Sequence, residues 1–189
     1  TLGLLKGLGF NRLSFGIQDF DLRVQQSINR HQSVERVEAL VEAVRRYGFK
    51  SFNFDLIYGL PHQTTESIRE TLSTVCAMRP DRIALYNYAH MPDRFLSQRA
   101  IHRESVPDAE AKLAMLCQAA ITLQNAGYVH IGMDHFVLPG DALAVAAKEG
   151  RLQRNFQGYA VDDNDCTIGL GLSAISSLPG CYGQNVKPL

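Results

Sequence analysis

Apolar positions along this chain follow two alternating rhythms. Short apolar runs that end in polar or small residues predict strands at about 11–17, 51–57 and 82–88. Between them the apolar spacing changes to three and four. Val37, Leu40, Val41 and Val44 form one stripe, which predicts a helix from Ser33 to Tyr47 with Ser33 as N-cap and Gly48 as its stop. A second helix is predicted at about 65–77, capped by Thr64 or Thr65 and closed off by Pro80. A loop through Asn29 and Arg30 separates the first strand from the first helix. Strand, helix, strand, helix, strand with short connections predicts parallel strands joined by right-handed crossovers.

The rhythm changes after His90. Met91 to Ser105 reads as a polar connection with a helical stretch. Pro107 and Asp108 then open a long helix that runs to Ala126 and stops at Gly127. Leu113, Leu116, Ala120 and Leu123 share one face of it. Tyr128 to Met133 predicts a short strand, and Ala142 to Glu149 a helix ended by Gly150. From Arg151 onward the chain is loop-rich. The fold class expected is α/β: part of a parallel (β/α) barrel followed by a loop-rich C-terminal extension. Three strands cannot close a barrel, so the face lined by Gln18, Asp55 and Asn87 is expected to be exposed.

Candidate chemistry gathers where the strands end. Phe54-Asp55-Leu56-Ile57-Tyr58-Gly59-Leu60-Pro61 carries one acid in an apolar run. A carboxylate there is costly unless paired, and the C-terminal edge of parallel strands is where α/β enzymes bind ligands. Asp55 either bonds to a nearby helix or to the Gly59 turn, or accepts hydrogen bonds from a ligand. Gln18 ends the first strand, and its amide either pins a loop or both donates to and accepts from a ligand. Arg30 stands near a helix start, where the dipole does not favour a cation; it is either solvated or paired with an anion. Ala89, just past Asn87-Tyr88, is either simply buried or lets a flat ligand approach the backbone. Asp134-His135 invites a metal or acid–base reading, but no second ligand stands at helical spacing. Gly169-Leu170-Gly171 lacks the third glycine of a dinucleotide fingerprint.

Composition narrows the classes. Nineteen basic and nineteen acidic residues balance, so no nucleic-acid footprint is present. No apolar run has the length of a membrane span, and no signal peptide is visible. The four cysteines, Cys76, Cys117, Cys166 and Cys181, are scattered and read as free thiols rather than a local cluster loop.

Three strings beside the strands, Arg12-Leu13-Ser14-Phe15-Gly16-Ile17-Gln18-Asp19-Phe20, Phe54 to Thr64, and Arg82 to His90, resemble the radical S-adenosylmethionine enzymes. Gly132-Met133-Asp134-His135-Phe136 and Arg154-Asn155-Phe156-Gln157-Gly158-Tyr159 are similar to the oxygen-independent coproporphyrinogen III oxidases within them. The likeness runs from about Leu8 to Asn185. It implies a cytoplasmic enzyme whose reduced [4Fe-4S] cluster cleaves S-adenosyl-L-methionine to a 5′-deoxyadenosyl radical. That radical removes a β-hydrogen from a propionate of coproporphyrinogen III, and loss of carbon dioxide leaves a vinyl group. Two rounds give protoporphyrinogen IX; the electron acceptor stays open. Cofactor contacts are implied for Gln18, Arg30, Asp55, Ala89 and Ile175, and the substrate side for His135, Arg154 and Gln157, with Phe156 packing on pyrrole rings. No residue of this chain is implied as a cluster ligand or as the catalytic group. The family's Cys-x-x-x-Cys-x-x-Cys loop has no counterpart here, and the chain opens on Thr1. The expectation is therefore a fragment, inactive alone: residues 1–135 the later half of the catalytic barrel, and 136–189 the start of the substrate-side region. The competing reading is a haem-binding chaperone on the same scaffold.

Overall fold

The computed structural model describes residues 1–155, 158–161 and 166–186. They form two compact units, Thr1–Ala144 and Val145–Leu189.

The first unit is organised by three parallel strands, β1 (Arg12–Gln18), β2 (Ser51–Tyr58) and β3 (Arg82–Asn87), adjacent and in that order. A short α1 (Leu2–Gly7) precedes β1. The connection from β1 holds α2 (Leu22–Ser27) where the sequence predicted only loop, and then α3 (Val34–Arg46). α2 is six residues long and buries only Val24 and Gln25, so it leaves no helical period to read. The Asp21 side chain caps it, accepting from Val24 N at 2.9 Å. α4 (Thr65–Met78) links β2 to β3 and starts on a reciprocal cap between Thr64 and Ser67.

Alternation along the strands decides what each face does. Phe52, Phe54 and Leu56 of β2, Ile17 of β1, and Ile83 and Leu85 of β3 are buried against Val37, Val41 and Val44 of α3 and Ile68, Leu72 and Val75 of α4. Each such side chain contributes about 1.5–3 kcal/mol by leaving water. The long helix α5 (Ala109–Asn125) adds Met115, Ala119 and Leu123. Its predicted stripe is corrected at Leu113, which is 60% exposed. The opposite face of the strands carries Ser14, Gly16, Asn53, Asp55 and Tyr86, none of them buried.

The sheet continues as β4 (Val129–Gly132) and β5 (His135–Val137), in the order β1-β2-β3-β5-β4. β5 runs antiparallel to both of its neighbours. The sequence predicted a strand only up to Met133; three residues are too few to show a period of two. Met133, at φ 45°, and Asp134 make the turn between the two strands. Among the described residues the sheet stays open, with β1 and β4 at its edges. The architecture is therefore α/β with parallel strands, a partial barrel and not a closed one.

The second unit, described by itself, holds two short hairpins: β6 (Gln153–Asn155) with β7 (Gly158–Ala160), and β8 (Ile175–Leu178) with β9 (Cys181–Gln184). They follow α6 (Ala142–Lys148), which crosses the unit boundary. No described helix is long and apolar enough to cross a membrane.

Candidate functional site

The pairing of β1 with β2 sets the site. Gly16 lies in register beside Asp55, Asp55 beside Ala84 of β3, and Ala84 beside His135 of β5. Register partners point to the same face, so an acid stands between two of the smallest side chains in the chain. Asp55 is the fifth of eight residues in β2 and half-buried. This corrects two expectations: it is not at the strand's end, and it is not the buried acid of the region.

Asp55 is held from its own face. Ser14 Oγ donates to one carboxylate oxygen at 2.9 Å, and Asn53 Nδ2 donates to the other at 2.7 Å. Asn53 Nδ2 also donates to Ser14 Oγ at 2.9 Å. The three form a closed ring that fixes the carboxylate and leaves each oxygen with lone-pair capacity toward the open side. The bond to the Gly59 turn, one of the alternatives for Asp55, is not among its hydrogen bonds.

Gln18 and Arg30 are brought together beside that acid. Gln18 ends β1 at φ 69°, and Arg30 follows Asn29 at φ 51°. Arg30 Nη2 donates to Gly16 O at 2.6 Å. A Cβ added to Gly16 would stand 2.6 Å from Gln18 Nε2 and 2.9 Å from Arg30 Nη2, so both head groups occupy the space that glycine leaves open. They line a cleft of about 600 Å³ together with Ile57, Leu60, Tyr88 and Gln98. One cation and one two-way amide on the cleft wall, with the acid of the neighbouring strand in register with Gly16, suit a ligand carrying a carboxylate, an amine and hydroxyls.

Ala89 is placed differently. It lies beyond the end of β3 and lines a second cleft on the other side of Tyr88. Only its carbonyl reaches toward the first cleft, where it accepts from Gln98 Nε2 at 3.1 Å. His135 opens β5, its ring edge-on to Tyr86 at 6.4 Å between centroids. Burial first, then the charges of Asp55 and Asp134, push the Tyr86 hydroxyl above its ordinary pKa.

Of the residues assigned to the second unit, Ile175 begins β8 and pairs with Gln184. Its carbonyl sits where a Cβ on Gly169 would fall, 2.7 Å away. The Gly169-Leu170-Gly171 string is thus a close-packed turn. Arg154 lies over the Tyr159 ring at 5.7 Å. Gln157 and Phe156 lie outside the described residues.

The buried acid that the sequence reading missed is Asp19, wholly inaccessible at the tip of β1. It accepts from Asp21 N at 2.6 Å, from Thr71 Oγ1 at 2.8 Å and from Gln63 Nε2. Burial pushes its carboxyl up, and these bonds hold it back. Gln63 completes the knot: its Oε1 accepts from Gly59 N at 2.5 Å and Leu60 N at 3.1 Å, and its Nε2 also donates to Ile57 O at 3.0 Å. The ends of β1 and β2 and the start of α4 are tied at one point, directly behind Gln18. Asn53, two residues from Asp55 on the same strand face, was legible from alternation alone; the link from Gln63 to Asp19 was not, because it spans 44 residues.

Among the described residues no group of three or more His, Cys, Asp or Glu could hold a metal ion. All four cysteines are free thiols. Among the described residues no side-chain group therefore fits a [4Fe-4S] cluster.

A family profile described as radical SAM superfamily matches residues 1–75. The chain is 50% identical over 185 residues to the oxygen-independent coproporphyrinogen III oxidase of Pseudomonas aeruginosa, covering 98% of this chain and 40% of that protein. It is 49% identical over 189 residues to the enzyme of that name from Escherichia coli K12, covering all of this chain and 41% of the relative. A solved structure of coproporphyrinogen III oxidase (HemN) from Escherichia coli, described as a radical SAM enzyme, superposes with a TM-score of 0.92 at 48% identity, over all of this chain and 44% of its own. The chain thus spans about two fifths of the length of these relatives. Along its whole length the chain is therefore similar to one part of the oxygen-independent coproporphyrinogen III oxidases, and over residues 1–75 it matches the radical SAM superfamily.

Proposed function

We propose that this chain supplies one cofactor-binding wall of an oxygen-independent coproporphyrinogen III oxidase, acting in the cytoplasm. The observation that carries the reading is the meeting of Gln18, Arg30 and Asp55 around Gly16 at the open face of the parallel strands. The reaction is oxidative decarboxylation of two propionates of coproporphyrinogen III to vinyl groups. In each round one hydrogen atom leaves the β-carbon, carbon dioxide leaves the carboxylate end, and one electron passes to an acceptor. S-adenosylmethionine with a [4Fe-4S] cluster supplies the hydrogen-abstracting chemistry when bound.

The chain's own residues bind and orient. Arg30 pairs with the cofactor's carboxylate, Asp55 accepts from its amine or hydroxyls, and Gln18 bridges the two. Ala89 and Ile175 are assigned to the cofactor side, and His135, Arg154 and Gln157 to the substrate side. In this division residues 1–135 form the later half of the catalytic barrel and 136–189 begin the substrate-side region. The family's cysteine loop has no counterpart in this sequence, and we expect the segment by itself to give no turnover.

The test is anaerobic conversion of coproporphyrinogen III by the full-length protein, with haem titration beside it. Product formation that falls strongly on Asp55→Ala, with the cluster absorbance unchanged, is the expected result. Tight stoichiometric haem binding without decarboxylation would replace this reading by the haem chaperone.

A further inference from the structure

The second cleft, of about 700 Å³, opens at the C-terminal ends of β2 and β3 against the start of α5. Tyr88 is a wall common to it and to the Gln18–Arg30 cleft. Its floor is apolar, with Val106, Leu113 and Leu116, and its polar rim includes Lys112, Arg103 and His90.

Lys112 is the most constrained of these. Its stem lies across Gly59 so closely that a Cβ there would be 2.6 Å from Cε and 2.9 Å from Cδ. Its ammonium donates to Tyr88 O at 2.8 Å and stands 5.7 Å above the Tyr88 ring centre. A lysine side chain loses rotamer entropy when fixed. Here packing on Gly59 and Tyr88 has already fixed it, so a ligand meets a preset charge. One of its three donors is used on Tyr88 O.

Neither Lys112 nor Arg103 has a carboxylate within ion-pair distance among the described residues. The acid of the lining, Asp108, accepts from Ala111 N at 2.8 Å as the cap of α5. Burial, and after it the charge of Arg103, hold the Lys112 ammonium below its ordinary pKa. Two cations on one cleft rim are offset best by an anion. Their position at the strand ends is where α/β sheets bind ligands.

We propose that this cleft is a carboxylate anchor for the substrate. Lys112 and Arg103 pair with a propionate, and the floor of Val106, Leu113 and Leu116 takes its pyrrole. The substrate class rests on the function proposed above. The site itself rests on the geometry of unit one alone. Because Tyr88 lines both clefts and Ala89, assigned to the cofactor side, lines this one, a substrate anchored here adjoins the cofactor side.

The experiment is equilibrium binding of coproporphyrin III, a stable oxidised analogue, and of its tetramethyl ester to the full-length protein, followed by fluorescence. Lys112→Met keeps the stem over Gly59 and removes the charge; Arg103→Gln alters an exposed residue and leaves the fold intact even if Lys112→Met does not. Each variant should weaken free-acid binding about tenfold while S-adenosylmethionine binding stays unchanged. The ester should bind wild type and variants alike, and added salt should weaken only the free acid. A folded Arg103→Gln variant that binds the acid as wild type does would overturn the anchor and leave the proposed function standing. A wild-type protein that binds neither porphyrin would overturn both.

Discussion

Gly16 on β1 stands directly beside Asp55 on β2, and its missing Cβ is the space in which the Gln18 amide and the Arg30 guanidinium sit. A backbone position with no side chain thereby assembles three polar groups contributed by two strands and a loop.

Gly16→Ala is therefore expected to damage the site more than the fold. The new Cβ meets only the ends of two movable side chains, at 2.6 and 2.9 Å. The melting temperature should move little, while S-adenosylmethionine affinity of the full-length protein drops about tenfold, as for one lost charge-assisted bond. Calorimetric titration beside a thermal melt measures both. An unchanged affinity would show that the cofactor lies elsewhere.

Asp55→Ala should cost about 1.5–3 kcal/mol of cofactor binding. Asn53→Ala should cost less, because Ser14 still donates to the carboxylate at 2.9 Å. The double variant should resemble Asp55→Ala alone, since Asn53 acts through the acid that it orients. Additive losses would mean that Asn53 touches the ligand itself.

Gly59 sits at φ +80° with the Lys112 stem against it. Gly59→Ala combines a left-handed backbone, costing about 1–2 kcal/mol, with a clash against packed methylenes. Adding Lys112→Ala should recover the clash and leave the backbone cost. Urea denaturation of the single and double variants separates the two parts.

Asp19 has its carboxyl raised by burial. An acid whose folded pKa lies above its unfolded value binds more protons when folded. Its ionisation therefore removes stability as pH rises from its ordinary value, 3.8, through the raised one. Asp19→Asn should abolish that part of the pH dependence. It should also lower stability at every pH, by about 1–3 kcal/mol, because an amide N–H then faces the Gln63 donor. Melts across the acid range should show a flatter, lower curve. A curve parallel to wild type would place the titration on another group.

Taken alone, the sequence determined the elements whose signals are local. Val37, Val41 and Val44 repeat at helical spacing, Ser33 and Thr64 cap their helices, and the connections are too long for hairpins; the parallel order of β1, β2 and β3 follows from these. Residue identity also marked Gln18, Arg30 and Asp55 as chemically unusual for their places in the chain. Short elements escaped, because α2 with six residues and β5 with three each contain fewer than two full periods of their pattern. Tertiary structure alone decided the register, since a one-residue slip would have turned Asp55 onto the helix side of the sheet. It also decided which acid is buried: Asp19 is sealed by Gln63 and Thr71, 44 and 52 residues away, and no local pattern encodes a hydrogen bond across that span. Lys112 is the same case, placed over Gly59 by the packing of α5 on the strand ends and by nothing in its own neighbourhood of the chain.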